Sequence, residues 1–468
     1  MNENNSKDNK DTFRDSIATI NAEGKRNFIY PKKPKGKNYS LRTYFSVVYL
    51  ITFFTLPFIK VNGEPFFLFN ILERKFIFFG TVFWPQDFFI FGIGMLTFIV
   101  FVILFTVVFG RIFCGWACPQ TIFMEMVFRK IEYWIEGNAT EQKLLQQKPW
   151  NAEKIYKRGL KLIIFYNISF VIANYFLAYL IGMDQLLGYI KHPSAHIGTL
   201  VSLLIFTTIF FFVYWWFREQ VCIVVCPYGR LQGVLLDKNS IVVAYDHIRG
   251  EPRTHLKHAT NNSGDCIDCL ACVKVCPTGI DIRNGTQLEC INCTACIDAC
   301  DDIMLKVNKA KGLVRYASEA SITNKVKLVL NNRIKAYSTV LIILLLFLSF
   351  LIVTRDDLDV RLMRTSGQTY TSLNDGRISN LYNLKLVNKS HHIINYNLVL
   401  ENIKGEIKYV GSNTTTVEKE SYSNIQFFVI INRSEIKSWK TNIQLSLNEN
   451  GKTLKRVRAN FIGPEIYN

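Results

Sequence analysis

The chain has 468 residues, 49% of them hydrophobic and 14% aromatic, with 20% charged and a formal net charge of +18. The apolar residues concentrate in runs of about twenty, the length a helix needs to cross a bilayer. That distribution excludes a fibrous or disordered chain and argues for a membrane protein, whose basic loops account for the charge without a nucleic-acid partner.

Residues 1–42 are polar and basic, lack the short apolar core of a signal peptide, and read as a loosely attached arm. Five apolar runs follow, at 43–59, 87–110, 162–182, 197–217 and 337–354; Pro57 weakens the end of the first. The stretch 66–84 is also apolar, but Glu73, Arg74 and Lys75 in its middle predict an interfacial segment and not a span. Lys and Arg number ten before the first run, three in 60–86 and nine between the second and third runs. One lies between the third and fourth, and sixteen between the fourth and fifth. This alternation is the positive-inside pattern: a cytoplasmic N-terminus, with residues 355–468 outside. That outer part alternates apolar and polar residues over 382–387, 394–400, 407–410, 425–431, 441–447 and 457–462. Gly, Asn and Ser clusters separate the segments, which predicts an antiparallel β-sandwich.

Each of the twelve cysteines falls in a short motif. Cys266, Cys269, Cys272 and Cys276 form C-x2-C-x2-C-x3-C-P, and Cys290, Cys293, Cys296 and Cys300 repeat the spacing 24 residues on, with Asp301 where Pro277 stands. Three closely spaced thiolates wrap three corners of a cubane, and the fourth crosses to the other cluster. One 4Fe–4S cluster is therefore assigned to Cys266, Cys269, Cys272 and Cys300, the second to Cys290, Cys293, Cys296 and Cys276. Zinc, which pairs two C-x2-C knuckles in one tetrahedron, fits two overlapping motifs poorly. Asp265, Asp268, Glu289, Asp298, Asp301 and Asp302 surround the cysteines; they either lower the cluster potentials or are ordinary turn residues.

The remaining cysteines form a second repeat. Cys114 and Cys118 precede Pro119 at the end of the second run, and Cys222 and Cys226 precede Pro227 at the end of the fourth, 108 residues later, each pair with an arginine just upstream (Arg111, Arg218). On a continuous helix, positions i and i+4 share a face about 6 Å apart along the axis. The duplication predicts a pseudo-symmetric four-helix unit that gathers four thiols. Soft thiolates suit Cu(I), and a neighbouring pair can also cycle through a disulfide; buried structural thiols are the plain alternative. His192 and His196, with Met183 and Asp184, lie around the short outer loop, where Pro193 disrupts helical spacing and an interfacial loop is the simpler reading. His247, His255 and His258 fall in a solvated stretch before the cysteine motifs.

The stretches Phe79-Gly80, Trp84-Pro85-Gln86-Asp87, GRIFCGWACPQT at 110–121, REQVCIVVCPYGRLQ at 218–232, YDHIRGEPR at 245–253 and NLYNLKLVN at 380–388 resemble the FixG-like cytochrome c oxidase accessory proteins, a bacterial inner-membrane ferredoxin family. The resemblance covers roughly residues 40–465. It implies a five-span α-helical membrane protein with a ferredoxin-like 2×(4Fe–4S) insert and an Ig-like β-sandwich. The implied layout is a cytoplasmic basic arm (1–42), a four-span module (43–240), a cytoplasmic ferredoxin-like domain (241–336), a fifth transmembrane helix (337–354) and a periplasmic Ig-like sandwich (355–468). It further implies reduction of Cu(II) to Cu(I) for assembly of a cbb-type cytochrome c oxidase, with copper handled at Cys114, Cys118, Cys222 and Cys226. The oxidase or its copper-delivery factors are then the partners. Three readings stay open: a metal reductase, a quinol-linked relay to a redox partner, and a non-catalytic assembly factor.

Overall fold

In the computed structural model, residues 19–464 are described apart from 21–22, 24, 62, 72–74, 85–86, 259–261, 325–331, 366, 368, 391, 412–414, 437 and 450. The expectations for Glu73, Arg74, Pro85, Gln86 and the start of the arm lie outside the described residues. The chain divides into two units, residues 1–59 with 93–346, and residues 60–92 with 347–468. Among the described residues, five helices are long and apolar enough to cross a bilayer: Lys37–Phe58, Phe88–Phe109, Ala152–Ile181, Pro193–Phe217 and Asn332–Val353. The protein is a multi-pass α-helical membrane protein.

In the first unit, the spans pack through an aromatic core. Phe123, Met124, Phe128, Phe165, Ile172 and Tyr214 are buried together, with the Phe128 ring stacked on Tyr214 at 4.5 Å and edge-on to Phe165 at 4.8 Å. The third spanning helix begins at Ala152, well before the expected 162, because Asn151 caps it by accepting from Lys154 N at 2.9 Å. The first helix begins at Lys37 and not 43. Asp298, from a neighbouring helix, accepts from the Asn38 and Tyr39 backbone amides at 3.2 and 2.8 Å. A carboxylate satisfies the orphan amides of a helix start and its positive dipole end.

The loosely attached arm is thus a correction. Its later residues are tied down: Arg26 pairs with buried Glu219 at 3.3 Å, Lys32 N donates to Lys274 O at 2.8 Å, and Arg42 Nε donates to Gly115 O at 2.7 Å. Composition shows charge but not the carboxylates and carbonyls waiting for it elsewhere in the chain.

The iron–sulfur domain follows the fourth span. Strands Val242–Tyr245 and Val314–Ala317 pair antiparallel, with both cysteine motifs threaded between them in sequence. Val243, Ile280, Ile282, Ile297, Met304, Leu313 and Val314 form a core that also includes Cys266, Cys272 and Cys300. The YDHIRGEPR stretch braces the first motif: the Asp246 carboxylate caps Arg249 N, and Arg249 Nε donates to Asp265 at 2.5 Å.

The second unit contains the β-sandwich. One sheet runs Gly405–Tyr409, Tyr422–Asn432, Arg377–Asn388, Leu358–Arg364; the other runs Asn397–Leu400, Lys440–Glu449, Lys452–Ile462. Tyr382, Leu384 and Leu386 alternate inward toward Phe427, Val429, Ile443, Leu445, Leu447 and Phe461. The Tyr382 hydroxyl donates to Asn460 O at 2.8 Å, one strand of each sheet. Strand Leu358–Arg364 was not among the predicted strands; its interior runs Val360-Arg361-Leu362-Met363, where a basic residue hides a weak alternation.

Residues 66–84, expected at the membrane interface, form a three-stranded antiparallel meander, Phe67–Asn70, Lys75–Phe78 and Thr81–Phe83. Phe79 and Gly80, both at positive φ, make its second turn, and Leu68, Ile77 and Val82 are buried on one face. Asp87, next to this meander, is buried and pairs with Arg355 at 2.7 Å and Lys389 at 2.6 Å.

Candidate electron-transfer site

The two cysteine loops share a backbone as well as a spacing. Asp268 and Leu270 lie at φ 55° and 58°, and Asn292 and Thr294, 24 residues on, at 54° and 66°. Leucine and threonine rarely adopt this left-handed conformation, so the surrounding structure imposes it. Such residues on either side of the middle cysteine curl each loop inward, a turn that aims backbone amides at an anionic ligand.

Each loop lines a small cavity. One is lined by Cys266, Cys269, Cys272 and Cys300, and the other by Cys276, Cys290, Cys293 and Cys296 with Cys272 between them. Burial pushes the thiols of Cys272, Cys290 and Cys300 up to about 12 and that of Cys293 to about 11. Thiolates crowded in an apolar shell require a cationic group to bind, and iron supplies that charge. Among the described residues, no three His, Cys, Asp or Glu side chains converge closely enough for a single ion. Each cavity is lined by the four cysteines that the spacing assigns to one 4Fe–4S cluster.

The acidic residues around the motifs are largely structural. Asp298 caps the first span, Asp265 holds Arg249, Asp268 meets Arg283, and Asp301 accepts from Gly312 N at 2.9 Å.

The C-x3-C-P pairs depart from the expected continuous helix. Cys114 sits in the short helix Ile112–Trp116, and Cys118 is extended (φ −65°, ψ 124°) before the next one. Cys222 lies in a π-helical turn, Val221–Val225, and Cys226 is extended (φ −67°, ψ 112°) before Pro227. The reason is the proline, which drives the residue before it out of the helical region. Each pair therefore straddles a break and does not share a simple helical face.

These breaks are gathered by Arg111, whose guanidinium donates to the carbonyls of Leu288, beside the second cysteine loop, and of Gly229, in the second C-P turn. Gln232, fully buried, donates to Cys114 Sγ at 3.4 Å. Burial raises Cys114 to about 11 and Cys222 to about 12, and the remaining membrane-end thiols reinforce it: Cys118 and Cys226 for Cys114, and Cys118, Cys114 and Cys226 for Cys222. The four thiols share one neighbourhood.

That neighbourhood touches the iron–sulfur domain. Cys114 packs against Val275, Ile291, Cys293 and Ala295. A Cβ on Gly115 would stand 2.4 Å from Ile291 O, so only glycine permits this approach. Trp116 Nε1 donates to the Tyr316 hydroxyl at 3.1 Å, which donates to Asn292 O at 3.2 Å.

Sequence reasoning missed a buried ionic array beside the thiols. Arg129 pairs with Glu125 at 2.9 Å, Arg218 with Glu132 at 2.9 Å, and Lys161 with Glu136 at 2.7 Å; Glu219 lies among Arg26, Arg129 and Arg218. Burial disfavours the Glu132 carboxylate, but Arg218, Lys161 and Arg129 outweigh it and hold Glu132 below its ordinary range. Arg218 itself lies at φ 50°, a strained conformation held by these partners. The available signal was Glu125, Arg129, Glu132 and Glu136 at helical spacing directly after the first C-P motif.

The histidines are not drawn in. His192 is exposed and His196 half-buried around Pro193, with the His196 ring 4.1 Å from Tyr189, while Met183 is buried apart from them. His247, His255 and His258 are exposed.

The 4Fe-4S dicluster domain family matches residues 217–319, the 4Fe-4S binding domain family matches 91–138, and the family described as the IG-like fold at the C-terminal of FixG matches 348–464. Protein RdxB of Cereibacter sphaeroides is 33% identical over 398 residues, spanning 81% of this chain and 83% of that protein. The nitrogen fixation protein FixG of Rhizobium meliloti is 30% identical over 433 residues, spanning 84% and 82%. The chain belongs to the FixG family. A crystal structure of a FixG-related protein from Vibrio parahaemolyticus aligns with 23% of this chain and 97% of its own, at 25% identity and a TM-score of 0.20. This FixG-family protein is an iron–sulfur electron-transfer protein of the membrane, and its C-terminal sandwich is the family's Ig-like domain.

Proposed function

We propose that this FixG-family protein reduces Cu(II) to Cu(I) at the four membrane-end thiols and hands the product to assembly of a cbb-type cytochrome c oxidase. One 4Fe–4S cluster is held by Cys266, Cys269, Cys272 and Cys300, the other by Cys290, Cys293, Cys296 and Cys276. Once bound, the clusters supply reducing equivalents one electron at a time. The N-terminus and both cysteine loops face the cytoplasm and the sandwich faces the periplasm of a bacterial inner membrane, following the Lys and Arg distribution. Copper is the substrate: one electron converts Cu(II) to Cu(I), and the thiolates coordinate without being consumed.

The observation that carries this reading is the packing of Cys114 against the buried cluster of Val275, Ile291, Cys293 and Ala295, with Gly115 admitting the backbone of Ile291 and Asn292 to close range. Soft sulfur ligands favour Cu(I) over Cu(II) and so shift the couple toward reduction. Burial pushes the Cys114 thiol up to about 11, and the hydrogen bond from Gln232 and the charge of Arg111 only partly oppose that rise. The four sulfurs do not stand at single-ion spacing, so copper capture draws the two turns together.

The test is stopped-flow absorbance of the reduced, purified protein mixed with Cu(II). The parent should regain the visible absorbance of its oxidised clusters on mixing, with roughly eight iron per chain. A variant carrying both Cys118→Ser and Cys226→Ser should keep its iron and lose rapid oxidation by copper. Oxidation of that variant at the parental rate would sink the copper site.

A further inference from the structure

The first two turns of the first spanning helix border a bowl that neither the iron–sulfur site nor the thiol site uses. It measures about 440 Å³ and is lined by Lys33, Tyr39, Ser40, Thr43 and Lys130. Two ammonium groups and three hydroxyls face it, and no carboxylate lines it. Lys130 Nζ lies 3.4 Å from Thr43 Oγ1 and over the Tyr39 ring at 5.7 Å. Neither Lys33 nor Lys130 has a carboxylate partner among the described residues. Partial burial, then the charges of Lys33 and Arg42, pull the Lys130 ammonium below its ordinary value. A half-buried ammonium that feels two further cations and has no carboxylate partner favours an anion beside it.

The surroundings say which anion. Lys37 begins the spanning helix, so Tyr39, Ser40 and Thr43 sit at headgroup depth. Below the bowl on the same helical face, at steps of four residues from Thr43, stand Val47 and Ile51, 48% and 58% exposed. A polar, cationic mouth thus continues into an exposed apolar stripe. A free phosphate matches only the mouth; a phospholipid matches both parts. Basic pockets beside spanning helices are the usual seat of acidic lipid headgroups.

We propose that Lys33, Ser40, Thr43 and Lys130 bind the phosphate of an anionic phospholipid, whose acyl chain lies along Val47 and Ile51. Tyr39, which lines the bowl, also lines with Arg42 and Glu125 a small second cavity that reaches Cys293 of the second cysteine loop. An acidic lipid here offsets the charges of Lys33 and Lys130 at the start of the first span.

The experiment uses the full-length protein with its clusters, in nanodiscs of phosphatidylcholine with graded phosphatidylglycerol, and counts retained lipids by native mass spectrometry after release. The parent should hold phosphatidylglycerol selectively. A variant with Lys33→Gln and Lys130→Gln should bind it about 25-fold more weakly, each lysine contributing about fivefold. Lys33→Gln alone, an exposed change that leaves the fold intact, should show the smaller of these losses. Cluster absorbance reports that each variant is folded. Inorganic phosphate at millimolar concentration should not displace the lipid. Unchanged phosphatidylglycerol retention in both variants would overturn the site, and displacement by inorganic phosphate would overturn its assignment to a lipid.

Discussion

The thiol-bearing end of the first unit and the β-sandwich of the second follow opposite rules. In the sandwich, side chains alternate in and out along regular strands, and the inner face is apolar from Tyr382 to Phe461. Around the thiols, three helices break or widen into π-turns, arginine and threonine residues adopt left-handed backbone, and at least four carboxylates are buried against cations. Regular structure satisfies its own backbone and buries what is apolar. Chemistry needs thiols and charges at set points, and the backbone departs from regularity to deliver them.

The contrast can be broken most severely at Glu132. Replacing Glu132→Gln leaves Arg218 and Lys161 buried with one counter-charge fewer, and removing one partner of a buried pair costs about 3–5 kcal/mol. Thermal unfolding of the purified variant should show that loss as a large fall in Tm. The same pair predicts a pH dependence. Because the carboxyl of Glu132 titrates below its ordinary value of 4.5, its stabilising contribution is complete above that pH and is lost as pH falls further. The Tm difference between parent and Glu132→Gln should therefore be constant from about pH 7 to about pH 5 and shrink below about pH 4.5.

A second change separates position from stability. Gly115→Ala puts a methyl group 2.4 Å from Ile291 O, which forces the first C-P turn away from the second cysteine loop. Iron content should be unchanged, while oxidation by copper slows about tenfold, the order of loss expected when reacting groups are displaced by less than about 1 Å. Full activity in this variant would remove Gly115 from the route. The smallest effect belongs to the sandwich. Tyr382→Phe removes one hydrogen bond to Asn460 O from an otherwise apolar core and should cost about 1 kcal/mol, measured by denaturant unfolding, with copper oxidation untouched.

Much of the molecule was legible in the chain. Hydropathy located all five spans, and the alternation in 382–462 anticipated the sandwich, because each is a one-dimensional pattern with a period. The spacing assigns Cys300 to the first set and Cys276 to the second; Cys300 lines one cavity and Cys276 the other, with Cys272 at both. The meander at 66–84 was harder. Its strands are three or four residues long, too short to separate from an interfacial run by composition.

What the sequence determined by itself is therefore what depends on residue type and spacing: iron–sulfur chemistry, membrane spans and the presence of two thiol pairs. Tertiary structure decided how those parts meet. It brought Asp298 to the start of the first span, Arg111 to the carbonyls of Leu288 and Gly229, and Glu132 to Arg218, 86 residues away. It also set Gly115 against Ile291 O. None of these contacts has a periodic signature, because each joins distant segments through one charge, one carbonyl or one missing Cβ. Burial raises the stakes of each: in a shell without water, a charge or carbonyl must find its partner inside the protein, and only the folded chain determines which partner that is.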